Sequence, residues 1–428
     1  MQLETEARAI EAFHRRPRIL RLECGVQHYD WGDPDAIPAI LGRPNPEGRP
    51  FAELWAGAHP DRPSQAIIDG VRVPLDLLIR DAARNILGQT LSNRFNGELP
   101  FLIKILAAAK PLSIQAHPNH TQALLGFERE NLEGLPRDAA IRNYRDPRHK
   151  PELLVALTDF YALRGFRPLA EIEQTLVETP ELGPLAEHRV RDANGLAALY
   201  NHVMRLSQPG VSTLLEPLIE RMEKENDQEL FTPKDRAYWI LRAHREFSTP
   251  GRADRGLLSM FLLNLVRLRP GQAVFLPAGE LHAYLQGVGI EIMANSNNVL
   301  RGGLTSKHVD PEALLQVLTF HAGPSEVLEP VTDSEKPWLT KYETPAAEFR
   351  LRRLTLDAEQ IYPLVKGEMR LALITNGAID IAAEGPEQLR ARQGEALLIP
   401  AGLGCQISCT AGAELWLARV PRTKTTRR

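Results

Sequence analysis

Apolar residues recur along this chain with two different periods, and the points where the period changes divide it. Residues 288–293 alternate strictly. Val288, Ile290 and Ile292 share one face of a strand, and Gly289, Glu291 and Met293 share the other, because successive strand side chains leave opposite sides. Residues 101–106 predict a strand in which Lys104 shares a face with Leu102 and Leu106. Residues 112–117 alternate again, with Ser113, Gln115 and His117 opposite Leu112, Ile114 and Ala116. An apolar run after Glu152, ending at Leu157, predicts another strand. From 168 to about 246 the spacing becomes helical, as in Leu214, Leu215, Leu218, Ile219 and Met222;. Thr232-Pro233 reads as an N-cap with proline at the first helical position, and Asp310-Pro311 opens a second capped helix;.

Strands resume near Leu262, and after about Glu329 the pattern is strand-like to the end, with turns at Asn376-Gly377 and Gly394. Residues 1–17 predict a short amphipathic helix anchored by Ile10 and Phe13. The expected fold class is therefore mainly β with an inserted helical domain. Its expected divisions are an N-terminal extension (1–17), a strand-rich unit in two parts (18–167 and 256–328), a helical insertion (168–255) and a second strand-rich unit (329–428).

Length agrees with this division, since 428 residues exceed what one small core organises;. A net charge of -3 provides no global basic field and argues against a nucleic-acid or membrane-surface partner;. The basic tail at 422–428 is expected to be frayed, with no nucleic-acid role. Three cysteines, Cys24, Cys405 and Cys409, have no metal-type spacing, and an odd number fits a reducing compartment better than a disulfide framework;. Residues 1–18 lack the apolar core of a secretory signal, and no apolar run approaches the ~18 residues of a membrane span;. A soluble cytoplasmic protein is expected, monomeric or weakly homo-oligomeric, with a small molecule as its partner.

Chemistry concentrates in 277–307, where His282, Glu291, Arg301 and Lys307 follow one another. A carboxylate in so apolar a strand as that of Glu291 needs a partner, a metal or a polar cavity. Lys104 either snorkels or faces such a cavity. Gln115 and His117, two apart on one strand face, can reach one ion, although alternation of this kind also marks a half-exposed strand. His59 follows Glu53 and Trp55 in an apolar stretch, and is either packed or functional.

An internal repeat sharpens the picture. Residues 271–282 read G, five residues, P-x-G, two residues, His282; residues 394–405 repeat the pattern and end on Cys405. The first copy resembles the second motif of the cupin jelly-roll barrel, with Gln286 where that family usually has Asn;. The resemblance implies two cupin barrels, the C-terminal one degenerate and metal-free.

Separated motifs in a single order extend this from about Gly25 to the C-terminus. They are Tyr29-Asp30-Trp31-Gly32, the stretch 52–60 (AELWAGAHP), 110–118 (KPLSIQAHP), 142–147 (RNYRDP), 149–152 (HKPE) and 291–307. Together they resemble the type I phosphomannose isomerase family. The resemblance implies interconversion of mannose 6-phosphate and fructose 6-phosphate, a sugar phosphate as partner, and one Zn2+ per chain as cofactor. Carried over by position, the zinc ligands fall on Gln115, His117, Glu152 and His282, and the catalytic arginine on Arg301. Glu291 is the preferred base, with Lys150 and His59 as further proton carriers. Ser113, Lys104 and Lys307 are the expected substrate-binding residues. Where the family commonly reads S-D-N-V, this chain has Ser296-Asn297-Asn298-Val299. A metal-dependent cupin oxygenase using iron and a non-catalytic sugar-phosphate-binding bicupin are the alternatives; iron with oxygen uptake, or binding without turnover, would mark them.

Overall fold

Strand His282–Ala294 is the spine of one half of the molecule. The computed structural model describes residues 2–384 and 388–421, so the basic tail lies outside the described residues. The start of the spine pairs with Ile114–Ala116 and Phe160–Phe166, and its second half with Phe101–Ala108 and Glu152–Ala156. A register shift between Tyr284 and Gln286 marks the change of partners, as a bulge does by locally turning a strand. Among the described residues these strands belong to a 10-stranded sheet, which also takes in Glu53–Gly57, Ala273–Leu276 and Leu300–Gly303.

The alternation in the spine works as predicted. Val288, Ile290 and Ile292 enter a core shared with Ile103, Ile105 and Ala107 and, from the other sheet, Leu371, Leu373, Leu398 and Trp416. Glu291, on the opposite face, lines a polar cavity. One strand thus seals the core between the sheets and furnishes the cavity.

The second sheet is 12-stranded among the described residues and is built mainly from 331–419. Leu20–Glu23 pairs with Ala396–Ile399 on one side and Gln65–Ile68 on the other, and Gln65–Ile68 pairs in turn with Val71–Pro74. Strands from the unit expected at 18–167 are therefore hydrogen-bonded into the C-terminal sheet. Strand periodicity reveals a face and not a partner, so this exchange was not visible in the pattern.

Helices Leu169–Glu178, Ala193–Arg205, Gln208–Glu225 and Arg236–Phe247 occupy the region expected to be helical. Their core includes Ile114, Ala116, Ala283 and Leu285. They cover one side of the two strands whose alternate positions are Gln115, His282 and Tyr284. No helix among the described residues is long and apolar enough to cross a membrane.

Two local expectations are corrected. Helix Arg236–Phe247 begins after a turn, with Asp235 and not Thr232 as its N-cap. Asp235 Oδ2 accepts both the Thr232 N–H at 2.8 Å and its hydroxyl at 2.7 Å, and that local ring holds residues 232–235 out of the helix. Asn376-Gly377 is not a turn but a bulge inside the long strand Arg370–Ala383, whose register shifts between Ile374 and Asn376. Gly377, at φ 71°, supplies the left-handed conformation that the bulge needs;.

The N-terminal helix Gln2–Arg15 is packed against the rest of the protein. Phe13 is fully buried in the core shared by the two sheets, next to Ile10. Phe13→Ala is expected to destabilise the fold by about 3–5 kcal/mol, the usual cost of emptying a buried aromatic site. Denaturant unfolding checks this; a change within experimental error would mean that the helix is a detachable extension.

Candidate metal centre and active-site cavity

Strand register assembles the centre. His282 lies opposite Gln115, Arg301 opposite Gln115 on its other side, Met293 opposite Glu152, and Glu291 opposite Lys104. Five strands thus converge on one cavity of ≈ 810 Å³, whose lining includes His59, Lys104, Ser113, Gln115, Lys150, Glu152, Glu291, Arg301 and Lys307. His117 and His282 sit behind this wall, fully buried and 1% exposed respectively.

The His117, Glu152 and His282 side chains bring ligand-type atoms within 4.8 Å of one another. Glu152 Oε2 is 3.4 Å from Nε2 of both imidazoles. His117 Nε2 and Glu152 Oε2 are nevertheless buried without a hydrogen-bond partner. A buried polar atom left unpaired is costly, and here the unpaired atoms point to one place. The outer nitrogens are fixed: His117 Nδ1 pairs with the Asn298 carbonyl at 2.7 Å and His282 Nδ1 with the Glu280 carbonyl at 3.0 Å. Donation from Nδ1 leaves each Nε2 lone pair facing inward, the usual support for metal-binding histidine. Gln115 Nε2 comes within 3.4 Å of His282 Nε2; ligation by Gln115 would use its amide oxygen.

Electrostatics suit a cation. Burial holds the His117 pKa down at about 4, so the ring is in its neutral, ligating form;. Burial alone would raise the Glu152 carboxyl, but neighbouring charge, Lys150 first, more than offsets it and keeps the group ionised, well below the usual range. Lys150 Nζ lies 2.9 Å from Glu152 Oε1, which leaves Oε2 for an ion. Two imidazoles, a carboxylate and an amide fit zinc.

A second polar group lies beside the first. Lys104 Nζ is 3.2 Å from Glu53 Oε1 and 3.0 Å from Glu291 Oε2, 5.3 Å above the Trp55 ring. Burial works against the ammonium, but Glu291 and Glu53 raise its pKa above the ordinary lysine value. Of the two sequence alternatives for Lys104, the structure therefore selects the polar cavity. Glu291 accepts the Tyr284 hydroxyl at 2.9 Å through its other oxygen. Burial raises the Glu291 carboxyl above its usual range; Lys104 opposes the shift, and the like charges of Glu152 and Glu53 add to it;.

The cavity lining also includes Arg145, Arg301, Lys307 and Ser113. Burial and Arg145 lower the Arg301 pKa, while burial, Arg301 and Arg145 lower that of Lys307. Among the described residues, none of these three cations has a carboxylate partner. The site thus holds two kinds of charge: carboxylates and ammonium groups paired with each other, and cations without a carboxylate partner among the described residues.

His59 is 2% exposed, edge-on to Trp55 at 4.9 Å, and burial lowers its pKa to about 4. Every expected site residue thus lies in or directly behind one cavity. Arg145, Tyr284 and Glu53 were not among the expected residues. Arg145 stands in the motif 142–147, and Tyr284 shares its strand face with His282, so position beside a matched residue was the available signal.

Comparison with known proteins agrees with this geometry. Residues 19–169 match the family described as phosphomannose isomerase type I, catalytic domain. The chain is 41% identical over 311 residues to mannose-6-phosphate isomerase of Escherichia coli (strain K12), covering 72% of this chain and 76% of that one. The chain belongs to the type I phosphomannose isomerase family. This family member is also 33% identical over 393 residues to human mannose-6-phosphate isomerase, covering 82% of this chain and 88% of that one. Its fold matches the crystal structure of mannose 6-phosphate isomerase from Salmonella typhimurium bound to substrate and a zinc atom. That match has a TM-score of 0.82 and 33% identity, and covers 94% of this chain and 100% of the other. The family member therefore shares with its relatives a fold of extensive sheets with helices packed on them.

Proposed function

We propose that this chain is a zinc-dependent aldose-ketose isomerase that interconverts mannose 6-phosphate and fructose 6-phosphate. The observation that carries the reading is the buried His117, Glu152 and His282 cluster, with unpaired ligand atoms beside a cavity also lined by cations without carboxylate partners. Gln115, His117, Glu152 and His282 would hold one zinc ion. When bound, zinc supplies a Lewis-acid charge at the sugar oxygens.

The chain's own residues supply the rest. Isomerisation moves a proton between the first and second carbons of the open-chain sugar, which needs a base beside those carbons and a cation beside their oxygens. Glu291 is the base. Burial raises its proton affinity toward the working pH, and Tyr284 and Lys104 fix the carboxylate in orientation while further lone pairs stay open. Arg301 stabilises the negative charge that develops on the oxygens. His59, neutral because it is buried, and Lys150 carry protons between those oxygens.

The phosphate belongs with Ser113, Lys307 and Arg145, where cations lack counter-charges. Lys104, expected as a phosphate ligand, instead serves as the counter-ion of Glu53 and Glu291, since a dianion next to it would meet two carboxylates. The same reading assigns residues 18–167 and 256–328 to a catalytic cupin barrel, apart from the strands at 20–23 and 65–74 that join the C-terminal sheet, 168–255 to a helical cover and 329–428 to a cupin-like barrel without a metal. It also places the protein in the cytoplasm.

The test is an isomerase assay on metal-analysed protein with mannose 6-phosphate and free mannose side by side. Turnover of the phosphate ester is expected, with kcat/KM for free mannose lower by at least ~10²-fold, since several charge-assisted hydrogen bonds are lost. Equal efficiency on the two sugars would reject the phosphate assignment, and absence of turnover would reject the function.

A further inference from the structure

The cavity mouth carries a carboxylate that the proposed chemistry does not use. Asp61 lies in the turn after His59, is exposed, and lines the cavity. Its Oδ2 accepts a hydrogen bond from Asn297 Nδ2 at 2.7 Å, and its backbone N–H donates to His59 Nδ1 at 3.2 Å. Asn297 is itself fixed, because its backbone N–H donates to Asp146 Oδ2 at 2.7 Å. The neighbouring Asn298 side chain accepts from the backbone of Arg145 and Asp146. The Asp61 carboxylate is therefore clamped at the mouth, and its Oδ1 has no partner among the described residues.

Most other cavity carboxylates are ion-paired, and Asp30, exposed and without a partner among the described residues, lacks a clamp of this kind. Glu53 and Glu291 face Lys104, Glu152 faces Lys150, and Glu246 faces Lys110. A sugar presents several hydroxyl donors, and a charged acceptor already held in place binds one without reorganising. The side chain at position 297, where the chain departs from the common acid, is the group that holds Asp61. Two neighbouring side chains thus offer one carboxylate and one amide, with the carboxylate on the Asp61 side.

We infer that Asp61 is a specificity-determining residue that accepts a hydrogen bond from a sugar hydroxyl at the cavity mouth, held there by Asn297. This inference rests on the isomerase reading and extends its substrate contacts. Exchange of the two side chains separates the charge from the clamp. Asp61→Asn keeps an acceptor for the Asn297 amide, so the loops stay joined while the negative charge is lost. Asn297→Asp alone sets two carboxylates against each other, which is repulsive. The double variant D61N/N297D restores one carboxylate and one amide across the same bond.

The experiment compares steady-state kinetics of the zinc-loaded parent, both single variants and the double on mannose 6-phosphate, with melting temperatures alongside. Asp61→Asn is expected to raise KM about tenfold with kcat within about threefold, as loss of one charged hydrogen bond made equally in ground and transition states would do. Its melting temperature is expected to stay at the parental value. The double variant is expected to have a kcat/KM at least threefold above the better single variant. Parental KM in Asp61→Asn, or a double variant no better than the better single, would overturn the inference. A parent without turnover would instead reject the isomerase function, and that measurement comes first.

Discussion

Glu152→Gln is expected to yield protein with well under one zinc per chain, a lowered melting temperature and activity reduced by at least ~10³-fold. Glu152 Oε2 faces both imidazoles at 3.4 Å and has no other partner, while Oε1 holds Lys150. The amide keeps the shape and removes the charge. Lys150 then loses its counter-ion, and a buried cation without a partner typically costs about 3–5 kcal/mol. Zinc bound only by the folded state stabilises that state by mass action, so its loss lowers stability further. The two contributions separate on adding a chelator, which should lower the parent's melting temperature and leave the variant's nearly unchanged. Full zinc occupancy in Glu152→Gln would remove this residue from the ligand set.

Glu291→Gln should behave in the opposite way. Zinc content is expected at the parental level, with kcat lower by ~10²–10⁴-fold, the usual magnitude for a lost general base. Glu291 touches Lys104 and Tyr284 and lies on a strand beside the metal-ligand face. The stability loss should be modest, because Glu53 at 3.2 Å remains as a partner for Lys104. KM should change much less than kcat, as expected when an interaction is made mainly in the transition state. Zinc content and steady-state kinetics on one preparation check both points. If Glu291→Gln loses its zinc, Glu291 holds the metal centre and is not the base.

Much of this arrangement was legible in the sequence because it is local. Strict alternation separates Ile290 and Ile292 from Glu291, and the structure sends the first pair into the core and Glu291 into the cavity. Gln115 and His117 point to one side for the same reason. Partnership was not legible. Nothing in residues 101–106 indicates that Lys104 will lie opposite Glu291 and next to Glu53, since that depends on the register between strands distant in sequence. The same register gives Lys104 two carboxylate counter-ions. Leu20–Glu23 likewise shows strand character but not that its partners are Ala396–Ile399 and Gln65–Ile68. Arg145 was missed because a loop has no period from which to read direction, and its value lies in standing near Arg301 and Lys307 without a counter-charge.

Isomerisation is expected to require one zinc ion per chain, held by four residues, and a stoichiometric titration measures this. Chelator-stripped protein, restored with increments of zinc, is assayed for conversion of mannose 6-phosphate to fructose 6-phosphate. Negligible activity is expected at the start, followed by a linear rise and a sharp break at one zinc per chain. Activity that is indifferent to zinc, or that keeps rising to two ions per chain, would contradict it.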